Sequence, residues 1–183
     1  MTPVATSGWD NRTFHLGEEM LIRLPSSPDY AGQVLKEQLW LPRLATGLKI
    51  QIPVPLGTGK PSERFPLPWS VYRWIPGETV AAHPPADKVV FARDLADFLT
   101  AFQSMDGTGD PARDLVIART FFDRESRDIF FERLRCNAGT RARAMARALW
   151  KALIISAAPQ NTNVTEAGQA ARTLEQIIAD AGQ

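Results

Sequence analysis

Cys136 is the single cysteine of the 183-residue chain, so no internal disulfide can form. The two histidines, His15 and His83, stand in unrelated settings, and no His/Cys cluster has zinc-ligand spacing. Excess charge is also missing. Twenty-one basic against 20 acidic residues leave a net +1, which gives no electrostatic reason to expect a nucleic acid or an anionic membrane as partner. The longest apolar runs fall far short of the roughly 20 residues that span a bilayer. The start, Met1 to Gly8, lacks a basic stretch followed by an apolar one, which argues against a secretory signal. These absences lead to the expectation of a soluble, cytoplasmic protein in a reducing compartment.

A 44% hydrophobic and 22% charged composition is ordinary for a folded domain, so wholesale disorder is not expected. The character changes near residue 86. Before it, Pro, Gly, Trp and short apolar runs dominate; after it, Ala, Arg, Leu and Phe recur at helical spacing. Thr13–Leu16 and Met20–Leu24 read as a β-hairpin joined by Gly17-Glu18-Glu19, closed by Pro25 and Pro28. A helix is expected from about Tyr30 to Leu41, with Val34, Leu35, Leu39 and Trp40 as its apolar set and Pro42 as its stop or kink. Ile50–Leu56 alternates with prolines and reads as an extended edge segment. Trp69–Ile75 reads as a strand ended by Pro76-Gly77. Gly57 to Ser62 has the look of a phosphate-binding loop but fails it. Val54 stands where the first glycine is needed and Pro61 follows the lysine, so a hairpin turn is expected there.

In the second half, Asp87 is placed to cap a helix carrying Phe91, Leu95, Phe98, Leu99 and Phe102 on one stripe. Further helices are expected over about 112–121, 124–135, 141–157 and 165–181, with Thr140 and Thr165 as N-caps of the last two. Met145, Leu149 and Leu153 mark the packing stripe of the first of these, and Leu174, Ile177 and Ile178 that of the second. Arg141, Arg143, Arg147 and Lys151 read as a solvated face.

Particular strings carry a family resemblance. Ser7-Gly8-Trp9-Asp10-Asn11, Leu21-Ile22-Arg23-Leu24-Pro25 and Lys36-Glu37-Gln38-Leu39-Trp40-Leu41-Pro42-Arg43-Leu44 resemble the N-lobe of a bacterial branch of the aminoglycoside phosphotransferase family. Pro66 to Glu78 is similar to the end of that lobe and its hinge, and Gly109 to Leu115 to the segment after its metal motif. The resemblance implies an α+β, protein-kinase-like fold. A β-rich N-lobe with one helix (residues 1–78) would precede a reduced, all-helical C-lobe (residues 79–183). It also implies transfer of the γ-phosphoryl of ATP or GTP, with magnesium, to a hydroxyl of a small-molecule acceptor. Gly8 and Asn11 would belong to the loop over the phosphates. Arg23 would take the place of the usual lysine, and Glu37 would be its helix partner, an Arg–Glu pair being able to bond bidentately. Arg73, Trp74 and Ile75 would form the adenine hinge.

The resemblance also exposes a departure. The family's His-Gly-Asp catalytic loop and Asp-Phe-Gly-like metal motif occur nowhere in the chain. Phe102 to Asp106 runs directly into Gly107 to Pro111, two strings similar to family segments that the catalytic loop should separate. No catalytic or metal-binding residue is therefore assigned. Asp106 and Asp110 near the junction fit turn formation and helix capping better than metal binding. Asp114 is similar to a residue that braces the catalytic loop, which leaves it here as a cap or surface charge. Two readings remain: a phosphotransferase, or a non-catalytic nucleotide-binding or interaction remnant. If the later helices failed to cover the aromatic stripe of Phe91, Phe98 and Phe102, self-association through it would follow.

Overall fold

The computed structural model describes residues 1–4, 8–80, 82–105, 109–158, 160 and 162–182. Ser7 and the Asp106–Thr108 junction lie outside them. The chain divides into two compact units, Met1–His83 and Pro84–Gln183.

The first unit is a five-stranded antiparallel sheet with one helix. Its strands are β1 (Thr2–Pro3), β2 (Asn11–Leu16), β3 (Met20–Pro25), β4 (Pro55–Gly59) and β5 (Trp69–Arg73), in spatial order β1-β2-β3-β5-β4. Gly17 turns the β2–β3 hairpin at a φ of 67°, a left-handed value that glycine adopts without steric cost. Register then sets Arg23 of β3 between Thr13 and Ser70, and Leu21 beside Tyr72. β4 forms the far edge. Gly57, Thr58 and Gly59 pair with β5 rather than forming the expected hairpin turn, and the turn falls instead at Ser62–Phe65. Glycine is needed at position 59 because the Trp69 ring of β5 lies over it. A Cβ there would stand 1.8 Å from a ring carbon.

Helix α1 runs from Pro28 to Gly47, longer than expected at both ends. Pro28 occupies its first turn, where the missing amide costs nothing. Pro42 lies inside the helix and does not stop it. One backbone bond is forfeited, yet proline's fixed φ is itself helical. The packing face also differs from the expected apolar set. Val34 is buried, whereas Leu35 and Leu39 are exposed. The face that includes Val34 continues through Glu37, Gln38 and Leu41 at helical spacing, so its middle is polar.

The second unit is all-helical. Helix α2 (Lys88–Ser104) is capped by Asp87, which accepts from Val89 N at 2.8 Å and Val90 N at 3.0 Å. A 3-10 turn over Pro111–Val116 leads into the short α3 (Ile117–Thr120), then α4 (Arg124–Leu134), α5 (Ala138–Ala157) and α6 (Val164–Ala181). The caps of α5 and α6 are Asn137 and Asn163, not Thr140 and Thr165. Asn137 takes the Thr140 amide at 2.8 Å, which puts that threonine one turn inside the helix. Phe91, Leu95, Phe98 and Leu99 of the α2 stripe belong to or pack against the unit's own core. Phe91 meets Phe121 and Phe122 edge-on at 5.8 and 5.9 Å, and Phe122 and Phe130 are fully buried. Phe102, at the end of the stripe, stays half-buried and stacks on Phe98 at 6.2 Å. Helix α5 buries Thr140, Ala144, Ala148 and Ala152, while Met145 and Leu153 of the expected stripe are exposed and Leu149 is half-buried. Alanines let neighbouring backbones approach closely and carry too little hydrophobicity to mark a stripe. Arg141 and Arg143 are not simply solvated: Arg141 donates to Phe131 O at 3.0 Å, and Arg143 forks onto Asp110.

Gly59→Ala is expected to displace Trp69 and lower unfolding stability by about 1–3 kcal/mol, as overpacked sites do. Gly57→Ala on the same strand, where a Cβ meets nothing within 4 Å, is expected to change stability little. Denaturant melts of the two variants check the contrast.

Candidate functional site

The N-terminal unit encloses a cavity of about 350 Å³. Four of the residues singled out in the sequence, Gly8, Asn11, Arg23 and Glu37, line it together with Trp9, Asp10, Thr13 and Gln33. Three elements meet there. The Gly8–Asn11 loop leads into β2 and is tied down by Ser26, just past β3. The Ser26 hydroxyl donates to Trp9 O at 2.9 Å and its amide to Asp10 O at 3.0 Å. Arg23 projects from the middle of β3, and Glu37 from the polar face of α1.

The Arg23–Glu37 pair is not the bidentate fork expected. One guanidinium nitrogen stands 3.7 Å from Glu37 Oε1, beyond hydrogen-bond distance. The close partner of Glu37 is Tyr72, whose hydroxyl donates to Oε2. Tyr72 is almost wholly buried on β5, and the Arg23 guanidinium lies over its ring, 5.0 Å from the centroid. Tyrosine thus holds the carboxylate with its edge and the cation with its face, so the guanidinium keeps hydrogen-bonding capacity beyond Glu37. Burial first, then the bond to Glu37, pushes the Tyr72 hydroxyl up to about 12, against the opposing influence of Ser70 and Arg23. Gln38, one residue on, donates to Ser70 Oγ at 2.9 Å and to Gly57 O at 3.2 Å, so two adjacent helix residues fasten α1 to β5 and β4.

Arg73, Trp74 and Ile75 are not in the cavity lining. Arg73 ends β5 with its side chain exposed and its amide bonded to Val54 O at 3.2 Å. The Trp74 amide donates to Glu19 O at 2.8 Å, and its ring meets His15 edge-on at 4.7 Å. Ile75 follows, half-buried. Sequence reasoning missed Tyr72, Gln38 and Ser70. The inward alternation of Ser70 and Tyr72 along β5 was the signal available for two of them.

In the helical unit, Asp110 caps the 3-10 turn through Ala112 N at 3.1 Å and accepts the Arg143 fork at 3.1 and 3.0 Å. Arg143, then the Ala112 amide, holds its carboxyl below the usual range. Asp114 is half-buried and accepts from Gln103 at 3.3 Å. Among the described residues, no three His, Cys, Asp or Glu side chains gather as a metal site would require.

A family model described as the phosphotransferase enzyme family matches residues 2–177. The chain belongs to that family. Among solved structures it is similar to aminoglycoside 2'-phosphotransferase-IIIa in a GDP complex, at a TM-score of 0.70 and 14% identity, covering 98% of this chain and 92% of that one. The gentamicin complex of APH(2")-IIa gives 0.60 at 12% identity, with coverages of 94% and 90%, and ADP-bound APH(2'')-Ib gives 0.57 at 12%, with 96% and 92%. No curated protein matches the chain. At these identities the likeness is one of fold. A sheet-and-helix unit followed by a helical unit is thus the kinase-like fold of the phosphotransferases. No described helix is long and apolar enough to cross a membrane.

Magnesium in kinase-like sites is clamped by an Asn and an Asp from motifs that this chain lacks. Among the described residues lining the cavity, the carboxylates are Asp10 and Glu37, the latter engaged by Tyr72 and Arg23.

The raised Tyr72 pKa has a pH consequence. Between about pH 10 and 12 the unfolded tyrosine ionises while the folded one keeps its proton, so stability falls as pH rises through that window. The loss attributable to Tyr72 is roughly 2–3 kcal/mol. Tyr72→Phe is expected to be less stable than the parent at pH 8 and to show a correspondingly smaller decline above pH 10 in urea melts.

Proposed function

We propose that this member of the phosphotransferase family binds a nucleoside triphosphate, ATP or GTP, without transferring its phosphoryl group. The observation that carries this reading is Arg23 at the cavity of the N-terminal unit, beside the Gly8–Asn11 loop and held by Tyr72 and Glu37. A phosphate oxygen is a stronger hydrogen-bond acceptor for a guanidinium than a carboxylate 3.7 Å away. In this role Arg23 contacts phosphate, Glu37 and Tyr72 are positioning residues, and Gly8 and Asn11 approach the phosphates from the loop. Arg73, Trp74 and Ile75 would hold the adenine or guanine base through backbone groups other than the Arg73 and Trp74 amides, which are already bonded, and through apolar contact. A cytoplasmic setting belongs to the same proposal, since nucleoside triphosphates are abundant there.

Phosphoryl transfer is achieved almost entirely by positioning and charge stabilisation. A base for the acceptor hydroxyl and ligands for the metal are its minimum parts, and the sequence holds neither motif that supplies them. The competing reading is an active kinase for a small hydroxyl compound. Family membership and fold likeness favour it, the similar solved structures being named as aminoglycoside phosphotransferases with bound GDP, ADP or gentamicin.

Isothermal titration with ATP and GTP is expected to show binding that Arg23→Ala weakens about ten-fold or more, the loss of one charge-assisted contact. In parallel, a panel of aminoglycosides and other hydroxyl compounds with magnesium is expected to give no turnover above background. Magnesium-dependent turnover that Arg23→Ala lowers would replace this reading with the enzymatic one.

A further inference from the structure

Trp9 lines the Arg23 cavity, and the nucleotide reading gives it no role. Tryptophan is highly buried on average, because its large ring gains by leaving water. Here the residue is 82% exposed. Its backbone is nevertheless anchored. The Ser26 hydroxyl donates to the Trp9 carbonyl at 2.9 Å, and the Ser26 amide donates to the Asp10 carbonyl at 3.0 Å. Two consecutive carbonyls are thus tied to the residue that follows β3. The indole is held out at the cavity with most of its surface in water.

Sheet register gives the order of the site along β3. Arg73 lies beside Met20, Ser70 beside Arg23, and Asn11 beside Pro25, with Trp9 bonded to Ser26 just beyond. At roughly 3.3 Å per residue, Arg23 stands about 10 Å along the strand from the level of Arg73, and the Trp9 anchor about 10 Å farther the same way. A nucleotide with its base at Arg73–Ile75 and its phosphates at Arg23 therefore meets Trp9 past its terminal phosphate. An indole is a poor partner for the phosphate itself. Its N–H can donate one bond from the ring edge, but its faces carry negative potential and bind no anion. Those faces suit another flat ring, in offset or edge-on contact. Arg23 and Trp9 line one cavity of about 350 Å³, so a single molecule can meet both.

We propose that the ligand of this cavity is a nucleoside polyphosphate whose terminal phosphate carries a second planar ring, and that Trp9 stacks on that ring. The inference rests on the nucleotide reading and adds the group at the far end of the phosphates. Arg23 keeps its contact, since an esterified terminal phosphate still offers free oxygens to a guanidinium. A ring held there through an ester also occupies the place an acceptor hydroxyl would need, in keeping with binding without transfer.

The test is calorimetric titration of the full chain with three probes: ATP, its γ-methyl ester and its γ-phenyl ester. The two esters carry the same charge and differ in the ring. The phenyl ester is expected to bind about ten-fold more tightly than the methyl ester, the gain of one stacked ring. Trp9→Ala, at an exposed position, is expected to leave the melting temperature and the methyl-ester affinity unchanged and to remove the phenyl preference. Trp9→Phe is expected to retain part of it, since phenylalanine keeps a ring face without the N–H. Arg23→Ala is expected to weaken all three probes by a similar factor. Equal binding of the two esters by the parent protein overturns this inference and leaves the nucleotide reading standing; binding of none of the three probes overturns both. A phenyl preference that survives Trp9→Ala also overturns it. So does a Trp9→Ala loss that falls equally on both esters, which would assign the indole N–H to the phosphate.

Discussion

The hydrogen bond from the Tyr72 hydroxyl to Glu37 organises the N-terminal unit. A buried phenol needs an acceptor, since leaving it unpaired costs roughly 1–3 kcal/mol. A carboxylate brought toward the sheet needs a donor and a nearby cation for the same reason. Tyr72 and Arg23 supply both to Glu37 from adjacent strands, because register places Arg23 beside Ser70 and Leu21 beside Tyr72. Helix α1 is fixed at that point, with Gln38 adding its bonds to Ser70 and Gly57. The placement of Arg23 against the Gly8–Asn11 loop follows from this fixed helix and sheet.

The helical unit is held differently. Its core is an aromatic cluster, Phe91, Phe121, Phe122, Phe130 and Phe131, joined by close helix contacts through alanines. Polar groups lie around that core as cross-helix forks. Arg133 meets Asp97 at 2.6 and 2.9 Å between α4 and α2, and Arg143 meets Asp110. Exposed forks of this kind add little stability but fix orientation. Around Asp180 the pairing crosses helices again, since Arg119 and Arg127 both meet that carboxylate.

Much of this was legible from the residues. The β2–β3 hairpin, the β5 strand, the Asp87 cap and the change from strands to helices follow from turn residues, capping chemistry and periodicity, whereas β1 was not expected and β4 runs through an expected turn. The family strings, rather than the periodicity, pointed to Gly8, Asn11, Arg23 and Glu37, which share one cavity lining. The misreadings have physical causes. The inward face of α1 is polar at Glu37 and Gln38, so a search for apolar residues selected the exposed Leu35 and Leu39 instead. In α5 the alanine face packs, while Met145 and Leu153 are exposed. Pro42 reads as a stop in isolation, but a 20-residue helix absorbs one lost bond. Tyr72 lies inside the expected strand Trp69–Ile75, but its role depends on a partner 35 positions away that no local pattern reveals. The Arg119–Asp180 pairing, 61 positions apart, was hidden for the same reason.

The most direct test of this account is a double-mutant cycle on unfolding free energy with Tyr72→Phe, Glu37→Gln and the pair. Since the two side chains satisfy each other, the cycle should return a coupling energy of about 1–3 kcal/mol, the range for interacting buried partners. Effects that add within about 0.3 kcal/mol would mean the two groups are independent. The claim that this bond fixes α1 and sets Arg23 in place would then fail.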